Sequence, residues 1–193
     1  MRRIHFARSN SLFKRFLRDN EGVGAIEFAI LFPILVMLYI GAFEITVGLS
    51  VSKRAARAAG SVADIVTQQT SVTKSSLQQV SVVANGIFVP FNTTSMQIKI
   101  TGITMNSSGN ASVLWSWANN STTPPYAANS SVTTVPADMQ KPSSFLVRAE
   151  LTIPYQLLAF GPAFLPGDLQ TLTISRTYYY RQRQNENIPC GDC

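Results

Sequence analysis

The sequence predicts an α+β fold. One long N-terminal helix, membrane-spanning in its first half, continues into a small domain built on an antiparallel sheet. Three observations carry this expectation. The run from residue 25 to residue 49 is apolar apart from Glu27, Glu44 and a few small polar residues. A helical apolar period follows it directly, and strand-like alternation then recurs towards the C-terminus. Charged residues make up only 13% of the chain, against roughly 25% in an ordinary soluble domain. That deficit fits a membrane-attached or secreted protein.

Residues 1–22 read as a basic leader. The net charge is +6, and Arg2, Arg3, Arg8, Lys14, Arg15 and Arg18 supply much of the total of 16 Lys and Arg. Basic residues ahead of an apolar span follow the positive-inside rule, so this end is expected in the cytoplasm. The rest of the chain is nearly balanced and has no basic stripe with interleaved aromatics, which excludes nucleic acid as a partner. Phe13, Phe16 and Leu17 give the leader either a short amphipathic face on the inner leaflet or a place in a disordered tail. The residues leave both open.

The long helix is expected over residues 23–70. Its apolar part, 25–49, would be about 37 Å long, enough to cross a ~30 Å hydrocarbon core. The unbroken run FAILFPILVMLYIGAF exceeds the roughly 7 to 15 residues of a signal-peptide core, and no A-x-A-like site follows promptly. Pro33 inside it cannot donate to the carbonyl of Ala29, so a kink or local softening is expected. Beyond the membrane, Val51, Ala55, Ala58, Val62 and Ile65 recur at spacings of three and four and make one apolar stripe. Lys53, Arg54 and Arg57 mark the far interface.

Residues 71–193 are expected to form the α+β domain beyond that interface. A second helix over residues 74–84 would be capped by Ser71 or Thr73 and stopped by Asn85 and Gly86. Met96, Ile98 and Ile100 alternate with polar residues, and Gly102 then shifts the phase as at a bulge. Val113, Trp115 and Trp117 share a face in a second strand. Phe145, Val147, Ala149, Leu151 and Ile153 mark a third, and Leu172, Ile174 and Tyr178 a fourth. The sheet is expected to be solvated on one face. Residues 119–144, rich in Ser, Thr, Asn and Pro, read as a long surface loop. Its N-x-S/T triplets at Asn119, Asn120 and Asn129 follow from that composition.

Few residues carry candidate chemistry. In a lipid-facing helix Glu27 would cost about 3 kcal/mol, which makes it a functional candidate. It also suits a helix start, where a carboxylate meets the dipole and snorkels to the headgroups. Glu44 pairs either with Lys53 or Arg57 at the interface, the favoured reading, or with a partner helix. Cys190 and Cys193 form a C-x-x-C without the following helix that a redox motif needs. A small disulfide loop worth at most about 2 kcal/mol is preferred to a zinc half-site shared between chains. His5 is the one histidine, and Asp64, Asp138, Glu150 and Asp168 read as scattered surface groups. No catalytic set, metal cluster or phosphate loop assembles, so neither an enzyme nor a cofactor is expected. Trp115, Trp117 and the run from Tyr178 to Tyr180 suit either an assembly surface or the sheet core.

Gly22 stands five residues before Glu27, behind the basic leader and ahead of the apolar helix. This arrangement resembles a type IV prepilin processing site. More closely, "EGVGAIEFAILFPILVMLYIGAFEI" resembles the TadE-like family of tight-adherence (Tad/Flp) pilus systems. The likeness extends more loosely through "SKRAARAAG", "NGIFVPF" and "TISRTYYYRQR". The resemblance implies a pilin-like fold and the role of a minor pilin or pseudopilin in pilus assembly. It implies cleavage by a prepilin peptidase between Gly22 and Val23, leaving Glu27 fifth in the mature chain. Glu27 would then meet the new N-terminal amine of a neighbouring subunit and set register, each charge offsetting the burial of the other. The implied partners are the membrane, other pilin or pseudopilin subunits, the Tad assembly machinery and the peptidase. The implied location is the bacterial inner membrane, with a single pass, a periplasmic C-terminal domain and incorporation into a cell-surface pilus. Phe28 departs from the Tyr that typically follows the glutamate in pilin subunits of these systems, and these residues do not separate TadE from TadF. The alternative is an uncleaved, single-pass periplasmic scaffold or binding protein.

Overall fold

The computed structural model describes residues 22–157, 171–183 and 187–193. The expectations for the leader, His5 and Asp168 lie outside these residues. The chain divides into two compact units, Met1–Phe43 and Glu44–Cys193. Helix α1 runs over Val23–Thr67 and contributes to both.

In the first unit every described residue up to Tyr39 is exposed, including Ile26, Phe28, Ile30, Leu31, Phe32, Leu35 and Met37. Such a surface is apolar on all sides, which suits lipid or packing against other helices rather than water. Pro33 lies within the helix, as the sequence requires.

The second unit begins where α1 acquires a buried side. Val51, Ala55, Ala58, Ala59, Val62, Ala63 and Val66 are all buried. Their small side chains keep the helix close to what it covers. Ile65 from the expected stripe is only half-buried, and Val66 takes its place. Helix α2, Lys74–Phe88, is capped by Thr73, with Ser76 returning a bond to the Thr73 backbone N–H. It runs through Asn85 and Gly86, the expected stop, because Phe88 is fully buried and holds the last turn in place. Pro90 supplies the actual stop, since the residue before a proline is pushed out of the helical region. That residue, Val89, has ψ 128°. Arg54 of α1 donates to the carbonyls of Ile87 and Val89 at 2.8 and 3.0 Å, covering acceptors that the helix end leaves unpaired. A residue expected to face the membrane interface thus caps a neighbouring helix.

Four strands form one antiparallel sheet in the order β2-β1-β3-β4: β1 Gln97–Met105, β2 Ala111–Ala118, β3 Phe145–Gln156 and β4 Thr171–Arg181. Ile98, Ile100, Trp115, Trp117, Phe145, Val147, Ala149 and Leu151 pack with both helices in the main core. The pairing of β1 with β2 slips between Gly102 and Ile103, as the phase shift in the sequence suggests. The slip sets Val113 opposite Ile103, out of phase with the two tryptophans, so the three do not share a face. Gly102 is required here: a Cβ would fall 2.6 Å from Cε2 and Nε1 of Trp115 and 2.9 Å from Cζ of Phe145.

The other sheet face is not solvated as expected. Ile103, Met105 and Leu146 form a second core with Val135, and Val132, Met139 and Tyr179 pack against it. The segment 119–144 supplies most of that cover and includes a 3₁₀ turn at Ala137–Met139, so it is more than a surface loop. Beside it, Arg148 is 5% exposed with its guanidinium 4.5 Å from the centre of the Tyr126 ring. Its Nη1 donates to Thr134 at 3.1 Å, and its Nε lies 3.3 Å from Glu150 Oε2 without an aligned hydrogen bond. Tyr126 donates to the same carboxylate oxygen at 2.9 Å. Burial first, then that bond and the carboxylate charge, raise the Tyr126 phenol above its usual range. Glu150 is therefore part of a packed polar cluster. Asp64 meets Arg183 at 2.9 Å on the surface, and Asp138 is exposed.

Candidate functional site

The features singled out from the sequence lie in three places. At the head of α1, the carbonyl of Gly22 accepts from the N–H of Ile26 at 3.1 Å, so the first helical turn closes on the residue before Val23. Among the described residues, apart from chain neighbours and the helix's own backbone, nothing lies within 4 Å of where a Cβ on Gly22 or Gly24 would stand. Val23 and Glu27 are both exposed and lie four residues apart, on one face of the helix. No side chain among the described residues pairs with Glu27. The rings of Phe28 and Phe32 meet at a tilt of 38° with centres 5.4 Å apart. The result is one carboxylate in an otherwise apolar, unshielded helical surface.

The second place is Glu44, the first residue of the second unit. It is 5% exposed, and its Oε2 accepts a 2.9 Å hydrogen bond from the hydroxyl of Tyr155 on β3. The interfacial pairing favoured from the sequence is thus replaced by burial within the protein. Desolvation first, then the hydrogen bond and the charge of Glu44, push the Tyr155 phenol up to about 12. This pair helps line a groove of about 600 Å³, whose other walls include Ile45, Leu49 and Ser52 on the helix and Leu157, Leu172 and Ile174 on the sheet. Sequence reasoning missed Tyr155. Its only signal is a phenol closing a strand of buried apolar residues, where burial demands a partner for the hydroxyl.

The third place is the C-terminal segment. Cys190 and Cys193 are bonded as a disulfide with Cα atoms 5.6 Å apart. The two sulfurs and the Asp192 carboxylate lie within 4.8 Å of one another, but bonded sulfurs offer no thiolate to a metal. The segment works instead as a clasp. Val72 donates to the carbonyl of Pro189 and accepts from Gly191, both at 2.9 Å. Asp192 accepts from the N–H of Lys74 at 2.7 Å, placing a carboxylate at the head of α2. The buried Trp115 indole donates to the Ile188 carbonyl at 2.7 Å. Trp115 and Trp117 are buried in the main core, and of Tyr178 to Tyr180 only Tyr178 is exposed.

Among the described residues one helix is long and apolar enough to cross a membrane, and it leads into a small antiparallel α+β unit, the architecture of a membrane-anchored protein. Residues 22–64 match the family model of TadE-like proteins, the family that the motif around Glu27 resembles. No curated protein and no solved structure matches the chain. The match begins at Gly22, covers the whole apolar span and ends within the buried stripe of α1.

Proposed function

We propose that this chain is a TadE-like minor pilin or pseudopilin acting in Tad/Flp pilus assembly. It sits in the bacterial inner membrane by a single pass, with the leader in the cytoplasm and the α+β unit in the periplasm. A prepilin peptidase cuts between Gly22 and Val23. The apolar face of α1 then packs against the helices of neighbouring subunits and the assembly machinery. Glu27 sets their register by meeting the freed amine of an adjacent Val23. The chain does this without catalysis or a cofactor.

The observation that carries this reading is the coincidence of the family match with the exposed helix that holds Glu27. A carboxylate in such a surface is costly in lipid unless a partner charge offsets it, and an amine released one turn away on another subunit is a suitable partner. The test is Glu27→Ala in cells that assemble the pilus. Membrane insertion should be unchanged, because the substitution makes the span more apolar, while incorporation into assemblies should fall at least ten-fold. Pili that form and incorporate the variant at the normal level would contradict the role of Glu27.

A further inference from the structure

The groove beside Glu44 is a surface that the assembly role of the first unit does not use. Ile45, Leu49 and Leu172 on its walls are 65%, 56% and 54% exposed, and Leu157, also on its lining, is half-buried. A cluster of that kind marks an interaction surface. Two elements build it, and both follow the same order. On α1, Ile45 and Leu49 are followed one turn later by exposed Lys53 and then by exposed Arg57. On β4, Leu172 is followed by exposed Arg176, which is held level with the helix by donating to the Ser52 hydroxyl. The step from Leu49 to Lys53 is about 6 Å along the helix, close to the depth of a phospholipid headgroup layer. The sequence that joins Leu157 to Thr171, LAFGPAFLPGDLQ, has Asp168 as its only charge. Helix α1 reaches this surface directly from its apolar span.

We infer that the Leu157 and Leu172 end of the sheet rests in the lipid interface beside Ile45 and Leu49, with Lys53, Arg57 and Arg176 at the level of the phosphates. The occupant of the groove is a phospholipid surface. Apolar side chains enter the acyl boundary and cations meet the headgroups, the division expected of an interfacial element. Burial under Tyr155 then has a clear purpose: it keeps the Glu44 carboxylate out of the lipid at this depth. The inference rests on the membrane-anchored reading and adds that the sheet unit itself touches the bilayer.

The test uses the full chain in phospholipid vesicles, with a nitroxide label on Leu172→Cys. Cys190 and Cys193 are bonded to each other and do not take the label. Phe43→Cys, in the span, and Ser107→Cys, in the β1–β2 turn, serve as lipid and water references. The inference expects the label at 172 to collide several-fold more with oxygen than with a water-soluble nickel chelate, as at 43 and unlike at 107. If 43 is lipid-exposed and 172 collides mainly with nickel, the inference fails while the anchor stands. If 172 is shielded from both reagents, the groove is filled by protein and a lipid occupant is ruled out. If 43 itself reads as water-exposed, the anchored reading falls and takes this inference with it.

Discussion

Two residues show how closely this fold is specified. Gly102 lets the Trp115 ring lie against the strand, which in turn aims the indole at the Ile188 carbonyl. Gly102→Ala should therefore lower stability by about 1–3 kcal/mol, because neither aromatic ring can give way without disturbing the core; thermal unfolding of the detergent-solubilised chain measures it. Tyr155 is the second. Removing its hydroxyl leaves a buried carboxylate short of a donor, so Tyr155→Phe should cost about 1–3 kcal/mol at neutral pH. The same phenol gives a pH signature. Its folded pKa, about 12, lies above the usual 10. The native state thus holds this proton more tightly, and the stabilisation is complete below pH 10 and lost as pH rises from 10 to about 12. Tyr155→Phe should flatten the fall of stability across that window, and an unchanged slope would show that this phenol is not the group responsible. The Glu44 partner was not legible in the sequence, because Tyr155 lies 111 residues away and no local period joins them.

At the level of elements, helix ends and strand faces depend on distant neighbours to different extents. The start of α2 was legible: Thr73 stands before a helical period and its cap is local. Thr73→Ala should cost about 1 kcal/mol, measurable as a lower unfolding midpoint in urea. Its end was misread because Asn85 and Gly86 look like a stop, whereas Pro90, the buried Phe88 and the Arg54 bonds decide it. Arg54→Met keeps the stem and removes the donors, and should destabilise α2 by about 1–3 kcal/mol, since charged donors make strong bonds to these carbonyls. Hydrogen exchange at the last turn of α2 reports it directly. On the sheet, the alternation of Met96, Ile98 and Ile100 gave the core face correctly, because burial on that face is continuous. The opposite face was misread as solvated. Its cover comes from residues 119–144, whose polar composition hides the apolar Val132, Val135 and Met139 that fold back onto Ile103 and Leu146.

For the molecule as a whole, the two units differ in kind. The first is an apolar helix with no buried residue among those described, and the second holds both cores. The run of exposed apolar side chains calls for a partner surface or lipid, and the TadE-like match over residues 22–64 spans that run. This scale was the most legible in the sequence, because uninterrupted hydrophobicity and a lone carboxylate need no tertiary context to be seen. The central claim is that the helix is released at its head to join an assembly, and the intact mass of the protein from pilus-forming cells tests it most directly. The account predicts a chain that begins at Val23 and lacks residues 1–22. A functional, membrane-embedded protein whose mass still includes those residues would contradict it.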